Sequence, residues 1–120
     1  MKHPAPLFSY YGSKVRKSMY YPPPVHDTII EPFAGAATYA MRYADRKVIL
    51  YELDKTIYGI LNYLIQASPN DILSLPIIPP YVSVHDYVWP CEEAKHLVGM
   101  WLCNAAQAPR LTLSAWGRAQ

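Results

Sequence analysis

A chain of 120 residues with 52% apolar and 13% aromatic content is one globular domain at most, and too rich in both for a disordered chain. Its 11 Lys and Arg against 9 Asp and Glu leave a formal charge of +2, too small to argue nucleic-acid binding by itself. Cys91 and Cys103 form no Cys-x-x-Cys, and His3, His26, His85 and His96 are scattered, so neither a disulfide framework nor a metal site is indicated. No apolar run approaches the roughly 18 residues of a membrane span, and no apolar stretch follows the N-terminal lysine, so a cytoplasmic location is expected.

Residues 7–11 are apolar and aromatic and end at Gly12-Ser13-Lys14. Lys2, Lys14, Arg16 and Lys17 make the first twenty residues basic with no acid among them, a patch suited either to phosphate or simply to solvent. Val15, Met19 and Tyr20 can begin a helix, which Pro22 stops; Pro22-Pro23-Pro24 then reads as a rigid connector. Residues 28–30 are a continuous apolar strand of the kind covered on both faces, running into Pro32 and Gly35. Residues 36–43 are compatible with a helix, and residues 47–51 form a second continuous strand ending beside Glu52 and Asp54.

This β-loop-α-β order, with an acid about 20 residues past its glycine turn, is the usual cradle for a nucleoside cofactor. The full G-x-G-x-x-G pattern is missing, because Gly35 is followed by Ala36, Ala37 and Thr38. A dinucleotide pyrophosphate needs those glycines for close backbone approach. Alanines favour an adenosyl cofactor such as S-adenosylmethionine over NAD.

Further along, Asp54 can cap a helix with Ile57, Ile60, Leu61, Leu64 and Ile65 on one stripe, ended by Ser68-Pro69-Asn70. Residues 72–90 resist assignment because prolines at 76, 79, 80 and 90 interrupt them. Residues 92–103 have helical spacing at Ala94, Leu97, Val98, Trp101 and Leu102, with Met100 off the stripe. Residues 104–109 read as loop, and residues 110–120 show no evident closing element. The fold class is therefore α/β, a partial doubly wound, Rossmann-like sheet with helices on its faces. Two strands are too few for such a sheet, so an incomplete domain is expected.

Three motifs, Leu7-Phe8-Ser9-Tyr10-Tyr11-Gly12-Ser13-Lys14, Glu31-Pro32-Phe33-Ala34-Gly35-Ala36-Ala37 and Val48-Ile49-Leu50-Tyr51-Glu52-Leu53-Asp54, follow one another in this order. Together they resemble the N-terminal portion of the Dam-type, or D12-class, adenine-specific DNA methyltransferases. The likeness covers residues 7–65 well. Residues 97–101 and Ser114-Ala115-Trp116-Gly117-Arg118 more loosely resemble a phage-associated branch. The resemblance implies methyl transfer from S-adenosylmethionine to the adenine N6 amine of double-stranded DNA. It places Tyr10 and Lys14 beside the methionine end of the cofactor and Glu52 on the ribose hydroxyls, with Ser13 in place of a customary glycine. Gly35 serves backbone approach, and Glu31 either orients loop amides, meets the cofactor's amino end or is simply solvated. The chemistry of the side chains agrees: a lysine pairs with a carboxylate, a tyrosine offers a flat face to a sulfonium, and a carboxylate accepts from two hydroxyls. Asp54 is the rival for the ribose and otherwise a helix cap.

The family's Asp-Pro-Pro-Tyr segment, which accepts hydrogen bonds from the adenine amine and stacks on the flipped base, does not occur in the sequence. Ile78-Pro79-Pro80-Tyr81 matches it in letters, but Ile78 has no acceptor; the Tyr20–Pro24 run is a second accidental likeness. The chain alone is expected not to methylate DNA. A non-catalytic cofactor-binding or interaction protein on the same fold is the alternative, and a different nucleotide-binding α/β protein is a third. An uncovered strand edge and sheet face further predict self-association or a complementary chain, unless the C-terminal half, with Tyr87, Trp89, Trp101 and Trp116, packs back.

Overall fold

The computed structural model describes residues 6–14, 16–102 and 107–119. Lys2, His3, Val15, Cys103 and Asn104, and the side chain of Trp116, lie outside the described residues.

Thr28–Glu31 forms β1 and Lys47–Leu50 forms β2, paired in parallel with Thr28 opposite Lys47 and Glu31 opposite Leu50. The ladder runs one step past each end: Lys47 N–H donates to the Asp27 carbonyl at 3.1 Å, and Tyr51 N–H to the Glu31 carbonyl at 3.0 Å. The crossover between the strands carries α1, Thr38–Arg42. This helix starts later than position 36 because Gly35 and Ala37 take left-handed φ values of 53° and 54°, which no helical turn accepts. The α/β class and the parallel β-loop-α-β unit are present. Among the described residues the sheet has two strands.

A 12-residue helix, α2 (Lys55–Gln66), follows β2. Asp54 caps it, its side chain accepting from the backbone N–H groups of Thr56 at 2.9 Å and Ile57 at 3.2 Å. Ile57, Ile60 and Leu61 are buried as the helical spacing predicts, but Ile65 ends the stripe 72% exposed. Ser68-Pro69-Asn70, expected only to stop α2, also starts a new helix, α3 (Pro69–Leu73). Ser68 and Asp71 form a reciprocal capping box there, with proline in the first turn where its missing N–H is harmless. The unassigned region contains a 3-10 turn, Val84–Asp86, capped the same way by Ser83 and Asp86.

Glu92–Trp101 forms α4, which packs on α2 and closes the core with Leu97, Val98 and Met100 against Ile57 and Ile60. Burial of each such side chain stabilises the fold by about 1.5–3 kcal/mol. One expectation fails here: Met100 is fully buried, whereas Trp101 is 39% exposed. The reason is that α4 is covered on more than one face. Residues 107–114 cross it, with Arg110 N–H donating to the Gly99 carbonyl at 3.1 Å and Ser114 N–H to the Leu102 carbonyl at 3.0 Å. The Trp101 indole N–H instead ties the helix to the Leu7 carbonyl at 2.9 Å. Where the sequence showed no evident closing element, this crossing covers one side of α4, and a short helix, α5 (Ala115–Arg118), follows it. The C-terminal half thus packs back onto α2, while Ile30 of β1 stays 60% exposed. No helix among the described residues is long and apolar enough to cross a membrane.

Candidate functional site

Beyond the carboxyl end of β1 lies a cleft of about 350 Å³, within the range of small-molecule sites. Ligands of parallel α/β sheets bind at this end of the strands, because there the turns present loop backbone and helix starts. Four of the five residues singled out in the sequence, Tyr10, Lys14, Glu31 and Gly35, line this one cleft. Their convergence has local causes. Tyr10 and Lys14 flank a tight turn closed by Ser13 N–H donating to the Tyr10 carbonyl at 3.0 Å, with Gly12 at φ 80° supplying the left-handed residue. Gly35 also has a positive φ, and a methyl on it would stand 3.2 Å from the Tyr10 ring. The glycine thus admits the tyrosine as well as the turn. Tyr10 is held from its other side by an edge-to-face contact with buried Phe8, ring centroids 6.3 Å apart.

Glu52, the fifth residue, stands behind the turn and does not line the cleft. One carboxylate oxygen accepts from Gly35 N–H at 2.8 Å and the other from Asp54 N–H at 3.0 Å. It therefore clamps the Gly35 turn to the end of β2, assisted by Ala34 N–H donating to the Tyr51 carbonyl at 2.8 Å. Each of its oxygens keeps a second lone pair for a further donor. Asp54, the rival, is committed to capping α2. Burial raises the Tyr10 hydroxyl pKa, and the charges of Glu52 and Asp54 raise it further, so the phenol stays protonated as a donor.

Glu31 accepts from Ala40 N–H at 3.1 Å and so holds the first turn of α1. Burial raises its pKa above the ordinary glutamate value, against the opposing pull of the Ala40 and Tyr39 amides and of Lys14. The sign follows directly. A carboxyl raised in the folded state costs stability when ionised, and that cost disappears as pH falls through its folded pKa. Glu31→Gln keeps an acceptor for Ala40 and is expected to melt above the unsubstituted chain at neutral pH. The gap should close on acidification toward pH 4.5, the ordinary glutamate value, in thermal melts over a pH series.

The sequence did not point to Tyr21, Pro22 and Tyr39, which form part of the same cleft wall. The signal was the Tyr20–Pro24 run, which resembles a Pro-Pro-Tyr segment in letters but serves as lining. Ile78 is buried in the core, and neither it nor Tyr81 reaches the cleft; Tyr81 lies under the Arg118 guanidinium at 5.0 Å. A second groove, of about 550 Å³, runs between α1, β2 and α2 and is mostly apolar, with Met41, Val48, Leu50 and Leu61 among its lining. No group of three or more His, Cys, Asp or Glu side chains among the described residues is placed to hold a metal ion. No family model, curated protein or solved structure matches the chain.

Proposed function

We propose that this chain is the cofactor-binding part of an adenine-specific DNA methyltransferase on a Rossmann-like fold, with S-adenosylmethionine held in the Tyr10–Gly35 cleft. The observation that carries the reading is the gathering of Tyr10, Lys14, Glu31 and Gly35, from two separate motifs, into one cleft at the strand ends. Their chemistry fits the ligand. Lys14 supplies a cation for its carboxylate, Glu31 a carboxylate for its ammonium, and Tyr10 a ring face for the sulfonium region. Gly35 lets the backbone come close. Glu52 reaches the ribose only through the lone pairs its two amide donors leave free, so its first task is to shape the turn. The cofactor supplies an electrophilic methyl group; the chain's own residues bind and orient it.

The same reading makes the chain inactive toward DNA when alone, since the sequence has no Asp-Pro-Pro-Tyr segment to supply the amine acceptor. Ile78 is apolar and in the core. Two assays test these statements together. S-adenosylhomocysteine should raise the melting temperature of the chain while NAD at equal concentration does not. A tritiated-methyl transfer assay on unmethylated duplex DNA should stay at background. Stabilisation by NAD alone would point to a different nucleotide-binding protein, and turnover by pure chain would show an acceptor outside the expected segment.

The packing of α4 onto α2 favours a second reading, a non-catalytic cofactor-binding or interaction protein derived from the same fold, because these two helices bury a core of their own. In that case S-adenosylhomocysteine binding persists, and no complementary chain restores methyl transfer.

A further inference from the structure

Residues 20–26, which include Pro22-Pro23-Pro24, contribute Tyr21 and Pro22 to the cleft wall. Prolines have no N–H, so this stretch cannot join a ladder, and its carbonyls must find donors elsewhere. Tyr21 has φ −75° and ψ 141°, the dihedrals of a polyproline II helix, a stiff form with no internal hydrogen bonds. Two side chains supply donors. The Tyr39 hydroxyl donates to the Pro22 carbonyl at 2.7 Å, and one Arg46 nitrogen donates to the carbonyls of Pro24 at 3.1 Å and His26 at 2.7 Å. Tyr39 also contacts Tyr21, with ring centroids 6.1 Å apart, and Tyr43, at 5.2 Å. Burial keeps the Tyr39 hydroxyl protonated and therefore a donor. Arg46 lines the second groove and not the cleft, so half of this attachment lies outside the cleft it shapes.

We infer that Tyr39 and Arg46 latch residues 20–26 as a strap at the cleft wall, and that this latch sets how tightly the cleft holds an adenosyl ligand. The ligand half of the inference rests on the cofactor reading of the cleft; the latch itself does not. Tyr39 and Arg46 are positioning residues. They act by fixing the Tyr21–Pro22 wall, which lies between the 3-10 turn Lys17–Tyr20 and the start of β1.

The test uses the full chain as Tyr39→Phe, which keeps the ring contacts and removes one donor, and as Arg46→Met, which keeps the aliphatic stem and removes the other. Amide hydrogen exchange is read without ligand at two hydrogen-bonded amides that bound the strap, Tyr21 (to the Ser18 carbonyl) and Lys47 (to the Asp27 carbonyl), and S-adenosylhomocysteine affinity by calorimetry, with a thermal melt of each variant. Each variant should melt within a few degrees of the unsubstituted chain; Tyr39→Phe should exchange these amides about fivefold faster and bind the ligand about fivefold more weakly, the worth of one ordinary hydrogen bond, and Arg46→Met, which loses two bonds, by more. Unchanged exchange in both variants would overturn the latch. Faster exchange with unchanged affinity would overturn the strap's role in binding. If the unsubstituted chain binds no S-adenosylhomocysteine, the cofactor reading and the ligand half fall together, while exchange alone still decides the latch.

Discussion

Gly99→Ala is expected to destabilise the chain by about 1–3 kcal/mol, the usual cost of forcing one extra carbon into a packed core. A methyl at this position would stand 2.7 Å from the Pro109 Cβ and 2.8 Å from the Arg110 carbonyl oxygen. Neither neighbour yields easily, since one belongs to a proline ring and the other to backbone. Residues 107–114 cross α4 at this point, and the Arg110 N–H bond to the Gly99 carbonyl fixes the crossing. Alanine would ordinarily improve a helix interior by about 1 kcal/mol over glycine, so a loss here runs against propensity. Chemical denaturation should show a lower midpoint with little change in slope. A Gly99→Ala chain as stable as the original would mean that the crossing segment moves aside at no cost.

Glu52→Ala should be the most damaging change near the cleft, costing about 1.5–3 kcal/mol for hydrogen bonds made to a charged group. Both carboxylate oxygens are engaged, at 2.8 Å by Gly35 N–H and at 3.0 Å by Asp54 N–H, so removal unfastens the turn and the approach to α2 together. Asp54→Ala loses only a helix cap, about 1 kcal/mol. Glu52→Gln keeps one acceptor oxygen and should fall between them in stability. Ligand affinity should follow the same order, because the Gly35 turn is part of the cleft. If Asp54→Ala proves worse than Glu52→Ala in both melting and affinity, the clamp is misassigned.

Much of this was legible from local sequence. The two strands, their parallel relation and the Asp54 cap depend on a few neighbouring residues, and the structure places them within a residue or two of expectation. The Ser68 and Ser83 helix starts were legible too, since both are Ser-x-x-Asp capping boxes, but adjoining prolines drew the reading toward breaks. The burial of Met100 over Trp101 was not readable. It depends on residues 107–114 crossing α4, and no periodicity within the helix encodes that contact. The site divides in the same way. The motifs brought Tyr10, Lys14, Glu31 and Gly35 together, but the clamp role of Glu52 follows from a turn with positive φ at Phe33, Gly35 and Ala37. Side-chain types do not reveal such a turn. Nor did they reveal the Tyr39 bond to Pro22, between residues 17 apart in sequence.

The central claim is that the cleft takes the cofactor through these residues, and calorimetric titration of S-adenosylhomocysteine into folded chain, unsubstituted and as Lys14→Ala, tests it most directly. Lys14 is exposed on the cleft wall, and its removal leaves the Glu52 clamp and the buried core untouched. Saturable one-to-one binding is expected, weakening about tenfold in Lys14→Ala for loss of one charge-assisted contact, with at most a small drop in the melting temperature of the free protein because Lys14 helps keep Glu31 ionised. Absence of binding to folded chain at high ligand concentration, or binding indifferent to Lys14, would contradict it.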